Sequence, residues 1–406
     1  MIFGLLGEKL GHSFSPQIHK ALGGYDYSLF EVPKDDLDAF MKAKAFDAIN
    51  VTIPYKKAVI PYCGKLSAEA EKIGSVNTIK KMPDGSLFGY NTDYDGFRSL
   101  CIASKIPVEG RKIIVLGDGG AAPAVRTALS DLGAGEIVTI SRKGENNYEN
   151  IQRNYDAQVI VNTTPVGMYP KNGESLLDLD KFTKCEGVLD IVYNPLRTKL
   201  VMDGEKRGIP SFGGLLMLVS QAKRASEIFT DSKIPDEMTF SVYEDLLRQT
   251  ENVILIGMPG CGKSTIGRLL SEATGRELLD IDSIITENIG MTIPEFFAKY
   301  GEAEFRKKET EALGEACKLS GKIIATGGGV VTHERNYPLL RQNGRIFFID
   351  RPLSELSKKG RPISQARPIE DIAAERMPAY ISWSDERIPM ESSAKTAEII
   401  RKRCGL

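Results

Sequence analysis

Short apolar runs alternate along the chain with stretches whose apolar residues recur every three or four positions. That alternation predicts strands interleaved with amphipathic helices, an α/β fold with parallel sheets. The clearest strands are expected at Ile113–Leu116, Ile137–Ile140, Val159–Val161, Gly187–Ile191, Val253–Ile256, Ile323–Ala325 and Ile346–Ile349. Several end in or beside Gly, Asn or Asp, the residue types that build phosphate and substrate loops at strand C-termini. A helix is predicted over Pro235–Arg248, with Phe240, Tyr243 and Leu247 on one face. Behind it the polar stretch 249–252 leads into a new strand at Val253, which places the main boundary near residue 250.

Two of these strands run into glycine-rich turns followed by helical pattern. One turn is Gly117-Asp118-Gly119-Gly120-Ala121-Ala122, and the other is Gly257-Met258-Pro259-Gly260-Cys261-Gly262-Lys263-Ser264. Their glycine spacings differ and the flanking segments do not match, so they read as two separate nucleotide sites rather than an internal repeat.

Composition narrows the class. A chain of 406 residues, at about 150 per domain, is long enough for two or three domains. Its 53 Lys+Arg against 54 Asp+Glu give a formal net charge of -1, which argues against binding nucleic acid through bulk electrostatics. The 42% hydrophobic and 26% charged residues are ordinary for globular domains. Six scattered cysteines without a CxxC pair, and three histidines, exclude closely spaced zinc sites and a disulfide framework. The opening Met-Ile-Phe-Gly-Leu-Leu-Gly lacks a basic stretch, so no signal peptide is expected. No apolar run approaches a membrane span. The expectation is a cytoplasmic protein with no nucleic-acid or membrane partner and no indicated oligomer.

The first glycine turn, Gly117-x-Gly119-Gly120-x-Ala122, is of Rossmann type. Gly117 permits the tight turn, Gly119 lets the backbone approach a pyrophosphate, and a helix N-terminus then faces the phosphates. The next strand ends in Ser141-Arg142-Lys143, where an NAD enzyme would carry an acid for the ribose hydroxyls. A basic, hydroxylated tip suits the 2′-phosphate of NADP. Upstream stand His12-Ser13-Phe14-Ser15-Pro16, then 50–56 (Asn-Val-Thr-Ile-Pro-Tyr-Lys), 74–78 (Gly-Ser-Val-Asn-Thr) and 91–93 (Asn-Thr-Asp). They supply the donors and acceptors that a polyhydroxylated acid needs.

This series, with 162–168 (Asn-Thr-Thr-Pro-Val-Gly-Met), 190–196 (Asp-Ile-Val-Tyr-Asn-Pro-Leu) and the stretch from Gly213 to Gln221, resembles shikimate dehydrogenase over residues 1–248. The family often shows Asn-Arg-Thr where this chain has Ser141-Arg142-Lys143, and the arginine is retained. The resemblance implies that Ser13 and Ser15 bind the substrate carboxylate. It implies that Thr52, Asn77, Asp93 and Gln221 hold the ring oxygens, with Tyr193 beside the substrate. Lys56 and Asp93 would be the catalytic pair. NADP would lie on Gly117, Gly119, Gly120, Ala121, Ser141, Arg142 and Lys143, with Met217 near the nicotinamide. The implied arrangement is a substrate domain, 1–102 completed by helices in 214–248, around a Rossmann domain at 103–213.

The second turn is a full Walker A pattern after a strand. Its backbone amides would cradle phosphates, Lys263 would reach the β and γ oxygens, and Ser264 would ligate Mg2+. Next come Leu279-Asp280-Ile281-Asp282, read as a strand end with one carboxylate for the metal and one for the substrate. Gly301-Glu302-x-x-Phe305-Arg306-x-x-Glu309 follows on a helix, then Ala325-Thr326-Gly327-Gly328-Gly329 after a strand, and Arg361 and Arg376 in a polar stretch. This order resembles shikimate kinase over 251–406, a P-loop domain of the nucleoside-monophosphate-kinase-like α/β class. The resemblance implies that ATP is held by Gly257, Gly260, Cys261, Gly262, Lys263, Ser264 and Thr265. Mg2+ would sit near Ser264 and Asp280. Shikimate would meet Asp282, Arg306, Gly327, Gly328, Gly329 and Arg376, with Asp282 taking the hydroxyl proton. Arg361 would lie on a lid over the phosphates.

One half would therefore make what the other consumes. The expected protein reduces 3-dehydroshikimate with NADPH and phosphorylates shikimate with Mg-ATP. The alternative is a quinate/shikimate dehydrogenase using NAD with a regulatory, non-catalytic P-loop module. Ser15 and the basic cofactor tip speak against its first half, and the intact Lys263, Asp280 and Asp282 against its second.

Overall fold

The computed structural model describes every residue except His12 and 357–366. The described residues form two compact units, Met1–Asp245 and Leu246–Leu406.

The first unit holds two sheets. One contains β1 (Phe3–Gly7), β2 (Tyr27–Glu31), β3 (Ala48–Val51), β4 (Lys65–Leu66), β5 (Thr78–Lys81) and β6 (Leu87–Tyr90), in the order β2-β1-β3-β5-β6-β4. Its helices are α1 (Ser15–Gly23), α2 (Leu37–Ala43), α3 (Ala68–Ile73) and α4 (Thr92–Ser104). The other contains β7 (Lys112–Leu116), β8 (Glu136–Ile140), β9 (Val159–Asn162), β10 (Gly187–Asp190) and β11 (Ser211–Phe212), in the order β11-β10-β9-β7-β8, with α5 (Ala122–Asp131), α6 (Lys199–Lys206) and α7 (Leu215–Thr230). Helix α8 (Asp236–Thr250) contains the point where the units divide. Its buried apolar positions are Val242 and Leu246, Tyr243 packs partly buried against the core, and Phe240 is 47% exposed.

The second unit is one parallel sheet of β12 (Asn252–Ile256), β13 (Leu278–Asp280), β14 (Ile323–Ala325), β15 (Gly344–Asp350) and β16 (Glu386–Pro389), in the order β13-β14-β12-β15-β16. Its helices are α9 (Lys263–Thr274), α10 (Ile281–Ile289), α11 (Ile293–Ala316), α12 (Asn336–Arg341), α13 (Ile369–Trp383) and α14 (Ser393–Arg403).

All seven expected strands are present, and their chemistry explains them. The central strands β7, β9 and β12 are Val/Ile/Leu runs buried along nearly their whole length, as strands covered by helices on both faces must be. The sheet at the N-terminus departs from the expected parallel pattern. Strand β5 runs antiparallel to both β3 and β6. The pairing of β5 with β6 follows from the turn Pro83-Asp84-Gly85: Gly85 adopts φ 80°, its amide reaches the Met82 carbonyl at 2.9 Å, and the chain folds straight back.

Two close approaches fix the site of the first unit. A Cβ on Gly96 of α4 would lie 2.7 Å from the Met217 carbonyl oxygen and 2.9 Å from Cβ of Gln221, so glycine lets α4 and α7 touch. A Cβ on Gly214, just ahead of α7, would lie 2.1 Å from the Ile191 carbonyl oxygen. Gly214→Ala should push α7 off the end of β10, at a cost of about 2 kcal/mol. Thermal unfolding followed by circular dichroism checks it, and an unchanged Tm contradicts the packing argument.

Candidate active sites

In the first unit, the C-terminal ends of β1 and β3, the starts of α1 and α4, the loop after β10 and one face of α7 surround a cavity of about 320 Å3. Every residue expected to bind the dehydrogenase substrate lines it: Ser13, Ser15, Thr52, Lys56, Asn77, Asp93, Tyr193 and Gln221. The cavity's charged pair is Lys56 Nζ and Asp93 Oδ2, 2.5 Å apart, with side chains 18% and 6% exposed. Burying a charged pair costs desolvation and calls for further hydrogen bonds. Asn77 supplies one, donating Nδ2 to Asp93 Oδ1 at 2.8 Å.

Asn77 is itself held. Its Oδ1 accepts from the Thr92 amide at 2.7 Å and the Thr78 hydroxyl at 3.0 Å. Thr78 Oγ1 accepts from Asn50 Nδ2 at 2.9 Å, and Asn50 Oδ1 accepts from the Tyr27 hydroxyl at 2.7 Å. A continuous hydrogen-bonded chain thus runs from β2 across β3 and β5 to the carboxylate.

The nucleotide turn lies on the second sheet of this unit. Gly117 has φ 93°, and a Cβ there would meet Thr164 at 2.6 Å. Gly119 and Gly120 are exposed, and a Cβ on either would meet nothing within 4 Å. Protein packing therefore does not demand those two glycines, and the space beside them is open. Arg142 and Lys143 are exposed beyond β8, with Ser141 half-buried. Met217, expected near the nicotinamide, is 6% exposed and packs in the core with Phe97 and Leu216.

Behind the turn, Asp190 at the end of β10 is fully buried. It accepts from Asn162 Nδ2 at 3.0 Å, the Val192 amide at 2.9 Å and the Thr198 hydroxyl at 2.7 Å. Burial pushes its carboxyl up to about 6 against those hydrogen bonds.

In the second unit, a cavity of about 400 Å3 gathers Gly260, Gly262, Lys263, Ser264, Thr265, Asp282, Gly327, Gly328, Gly329, Arg306 and Arg376. Gly257 and Cys261, also expected at the nucleotide, are buried and outside its lining. A Cβ on Gly257, φ 146°, would strike the Ile349 carbonyl oxygen at 2.7 Å. Cys261 turns its thiol inward, 3.7 Å from Lys263 Nζ. The Lys263 ammonium donates to the loop carbonyls of Gly257 at 2.8 Å and Met258 at 3.1 Å.

The two aspartates are not both on a strand end. Two residues apart on a strand they would face the same way, but β13 stops at Asp280. Asp280 caps α10, accepting the Ser283 amide at 3.2 Å, and lies outside the cavity lining. Asp282, in the first helical turn, faces the cavity. Its residue is open to solvent at the mouth, yet the surrounding protein and then Glu309 push its carboxyl up to about 6. Arg376 is not in a polar loop but on α13, 3% exposed, donating Nη1 to the Gly328 carbonyl at 2.9 Å. Arg361 lies outside the described residues.

Two family models match. Residues 5–79 match that of the shikimate dehydrogenase substrate binding domain, and residues 259–403 that of shikimate kinase. The shikimate dehydrogenase (NADP(+)) of Clostridium beijerinckii is 39% identical over 263 residues, covering 59% of this chain and 96% of the relative. The chain belongs to the shikimate dehydrogenase family. It carries a shikimate kinase domain behind the dehydrogenase half. A crystal structure of a chorismate mutase/shikimate 5-dehydrogenase fusion protein from Clostridium acetobutylicum shares 39% identity and a TM-score of 0.57, covering 60% of this chain and 96% of that one. The shikimate 5-dehydrogenase of Thermus thermophilus, in complex with NADP(H) and shikimate, shares 30% and 0.54, covering 60% and 99%.

In the dehydrogenase half, sequence reasoning passed over Asn50 and His19, which also line the cavity. Asn50 stands two positions before Thr52, which on an extended strand puts both on one face; that spacing was the available signal. His19 is 1% exposed, stacks on Tyr27 with centroids 4.1 Å apart and pairs Nδ1 with the Tyr25 hydroxyl at 2.6 Å. Burial lowers its pKa to about 3, so it stays neutral.

In the kinase domain the residue passed over is Glu309. It is fully buried, accepts from Arg306 Nη1 at 2.9 Å, and its Oε1 has no hydrogen-bond partner among the described residues. Arg306 is 4% exposed and also donates Nη2 to Glu302 at 2.8 Å. Three residues apart on one helix, Arg306 and Glu309 thus form an interior pair. A Cβ on Gly327 would meet Glu309 Oε1 at 2.6 Å and Asp282 Oδ1 at 2.8 Å, so the glycine run packs directly on these acids.

The residues also suit the cofactors. Open space at Gly119 and Gly120 and the basic tip fit a phosphorylated dinucleotide. Mg2+ bound chiefly through water and phosphate asks for only one or two protein oxygens, and the Ser264 hydroxyl and Asp280 carboxylate are of the right kind. Glu309→Ala would leave Arg306 with a single, solvent-exposed acid and should cost about 3 kcal/mol. Glu309→Gln, which keeps an acceptor, should restore much of it. Chemical unfolding of the full chain monitored at Trp383, in the second unit, measures both. Equal stability of Glu309→Ala and the parent contradicts this.

Proposed function

We propose that the chain is a bifunctional enzyme that reduces 3-dehydroshikimate to shikimate with NADPH and phosphorylates the shikimate 3-hydroxyl with Mg-ATP. What supports it is that each unit gathers reacting and substrate-holding groups around one cavity. Lys56 and Asp93 stand among the hydroxyls and amides of the first. The P-loop lysine shares the second with Asp282 and two arginines. The proposed division is a substrate lobe at 1–102 with 214–248, an NADP lobe at 103–213 and a kinase domain at 251–406. A cytoplasmic location, where NADPH and ATP are at hand, is part of the same proposal.

In the dehydrogenase, bound NADPH supplies the hydride to the C3 carbonyl carbon. Lys56 Nζ gives a proton to the carbonyl oxygen as that charge develops, and water replaces the proton. Asp93 keeps the ammonium aimed, and Asn77 keeps Asp93 from turning away. Ser13 and Ser15, at the start of α1, take the substrate carboxylate, with Thr52 and Gln221 on the ring hydroxyls and Tyr193 beside the substrate.

In the kinase, Mg2+ supplies charge neutralisation across the phosphates when bound. Lys263 and the loop amides hold those phosphates, while Arg306 and Arg376 grip the shikimate carboxylate with their planar forks. Asp282 accepts the proton of the 3-hydroxyl as the oxygen attacks the γ-phosphorus and ADP leaves. Glu302 and Glu309 hold the Arg306 fork in place.

Incubating the chain with 3-dehydroshikimate, NADPH and Mg-ATP should yield shikimate 3-phosphate, identified by mass. Accumulated shikimate would remove the kinase reading, and unchanged substrate would remove both. Lys56→Ala should abolish most NADPH oxidation while NADPH still binds and shikimate is still phosphorylated; near-parental turnover contradicts its role. An Asp282 carboxyl raised to about 6 is protonated below that pH and accepts a proton only above it. Kinase kcat should therefore rise with pH through about 6 and then level off. A flat profile from pH 5 to 8, in a regime limited by phosphoryl transfer, contradicts the proton-accepting role.

A further inference from the structure

The first glycine turn carries an acid, Asp118, beside the place where a dinucleotide's phosphates are expected. Alone, that carboxylate would repel an anionic cofactor. It is answered by Arg126 on α5, whose Nη1 donates to Asp118 Oδ1 at 2.7 Å. The same nitrogen lies 3.5 Å from the Thr139 hydroxyl oxygen. Thr139 is on β8, two residues before the Ser141-Arg142-Lys143 tip. The guanidinium therefore spans the gap between the glycine turn and the strand whose end reads the adenosine ribose. Its side chain is 32% exposed, against 58% for Asp118. Two donors on one nitrogen account for both contacts, leaving Nε and Nη2 without a hydrogen bond among the described residues. Gly119 and Gly120 beside it carry no side chains to block access.

We propose that Arg126 is a second reader of the cofactor's 2′-phosphate beside Arg142. This rests on the NADP reading above. The phosphate meets Arg142, Lys143 and Arg126, with Asp118 offsetting one positive charge. Removing Arg126 takes away a fork of donors and also leaves Asp118 uncompensated. Removing only the charge of Asp118 does neither.

The test is binding of NADPH and of NADH to the full chain, followed by nicotinamide fluorescence without substrate. Arg126→Gln should raise the Kd for NADPH about tenfold, the loss of one charged hydrogen bond at a partly exposed site, and that for NADH less than about twofold. Asp118→Asn keeps an acceptor oxygen for Arg126 and should leave NADPH binding unchanged or tighter. The proposal is overturned if Arg126→Gln shifts both dinucleotides equally, as a purely structural clamp between α5 and β8 would, or shifts neither. It is also overturned if Asp118→Asn weakens NADPH as much as Arg126→Gln does. Should the unsubstituted chain bind NADPH no better than NADH, the NADP reading itself falls. Should it prefer NADPH and Arg126→Gln keep that preference, only the role of Arg126 falls.

Discussion

Where a buried strand gives way to a helix, the chain must turn inside space already taken by its neighbours. At Gly257 a side chain would begin 2.7 Å from the carbonyl oxygen of Ile349 on the adjacent strand. At Gly117 it would begin 2.6 Å from Thr164, and at Gly214 2.1 Å from the Ile191 carbonyl oxygen. The functional side chains of both units depend on this constraint. The glycines let α7 and α9 start hard against the strand ends and let the turn before α5 close over β9. They thereby set where Gln221, the phosphate loop with Lys263 and the nucleotide turn lie.

Onto those edges the fold places charges that water would otherwise claim. Lys56 and Asp93 are held by each other and by a relay of neutral amides and hydroxyls reaching back to Tyr27. Arg306 and Glu309 do the same inside the second unit, with fewer supporting bonds and one carboxylate oxygen left without a partner. The difference follows from position. Asp93 begins a helix next to a loop rich in Asn and Thr, whereas Glu309 is deep in a helix whose own backbone is already satisfied. A buried pair with incomplete support stabilises a fold poorly, but it holds an arginine fork in one place.

The family likeness was legible at the level of ordered motifs, because the residues concerned cluster in short runs at strand ends. Asn50, Thr52 and Lys56 sit in one such run, as do Gly327, Gly328 and Gly329. The short strands of the first sheet left weaker signals. Phe3–Gly7 contains two glycines and Tyr27–Glu31 is largely exposed, so neither reads as a conventional apolar run. On α8 the three-to-four spacing identified the helix but not which of its faces is buried, because Phe240 and Val242 both fit such a stripe.

By itself the sequence determined the two glycine turns, the strands that lead into them, and the identities of about half of the residues that gather in each cavity. These are local facts: a turn, a strand or a phosphate loop is encoded by residues within a few positions of one another. Only the tertiary structure decided that Asp93 is bound by Asn77 and Lys56, that Arg306 and Glu309 are interior, that Met217 and Cys261 face inward, and that Arg126 reaches Asp118 and β8 together. Burial and hydrogen bonding between distant segments depend on how helices and strands pack, and the spacing of residues along one chain does not contain that information.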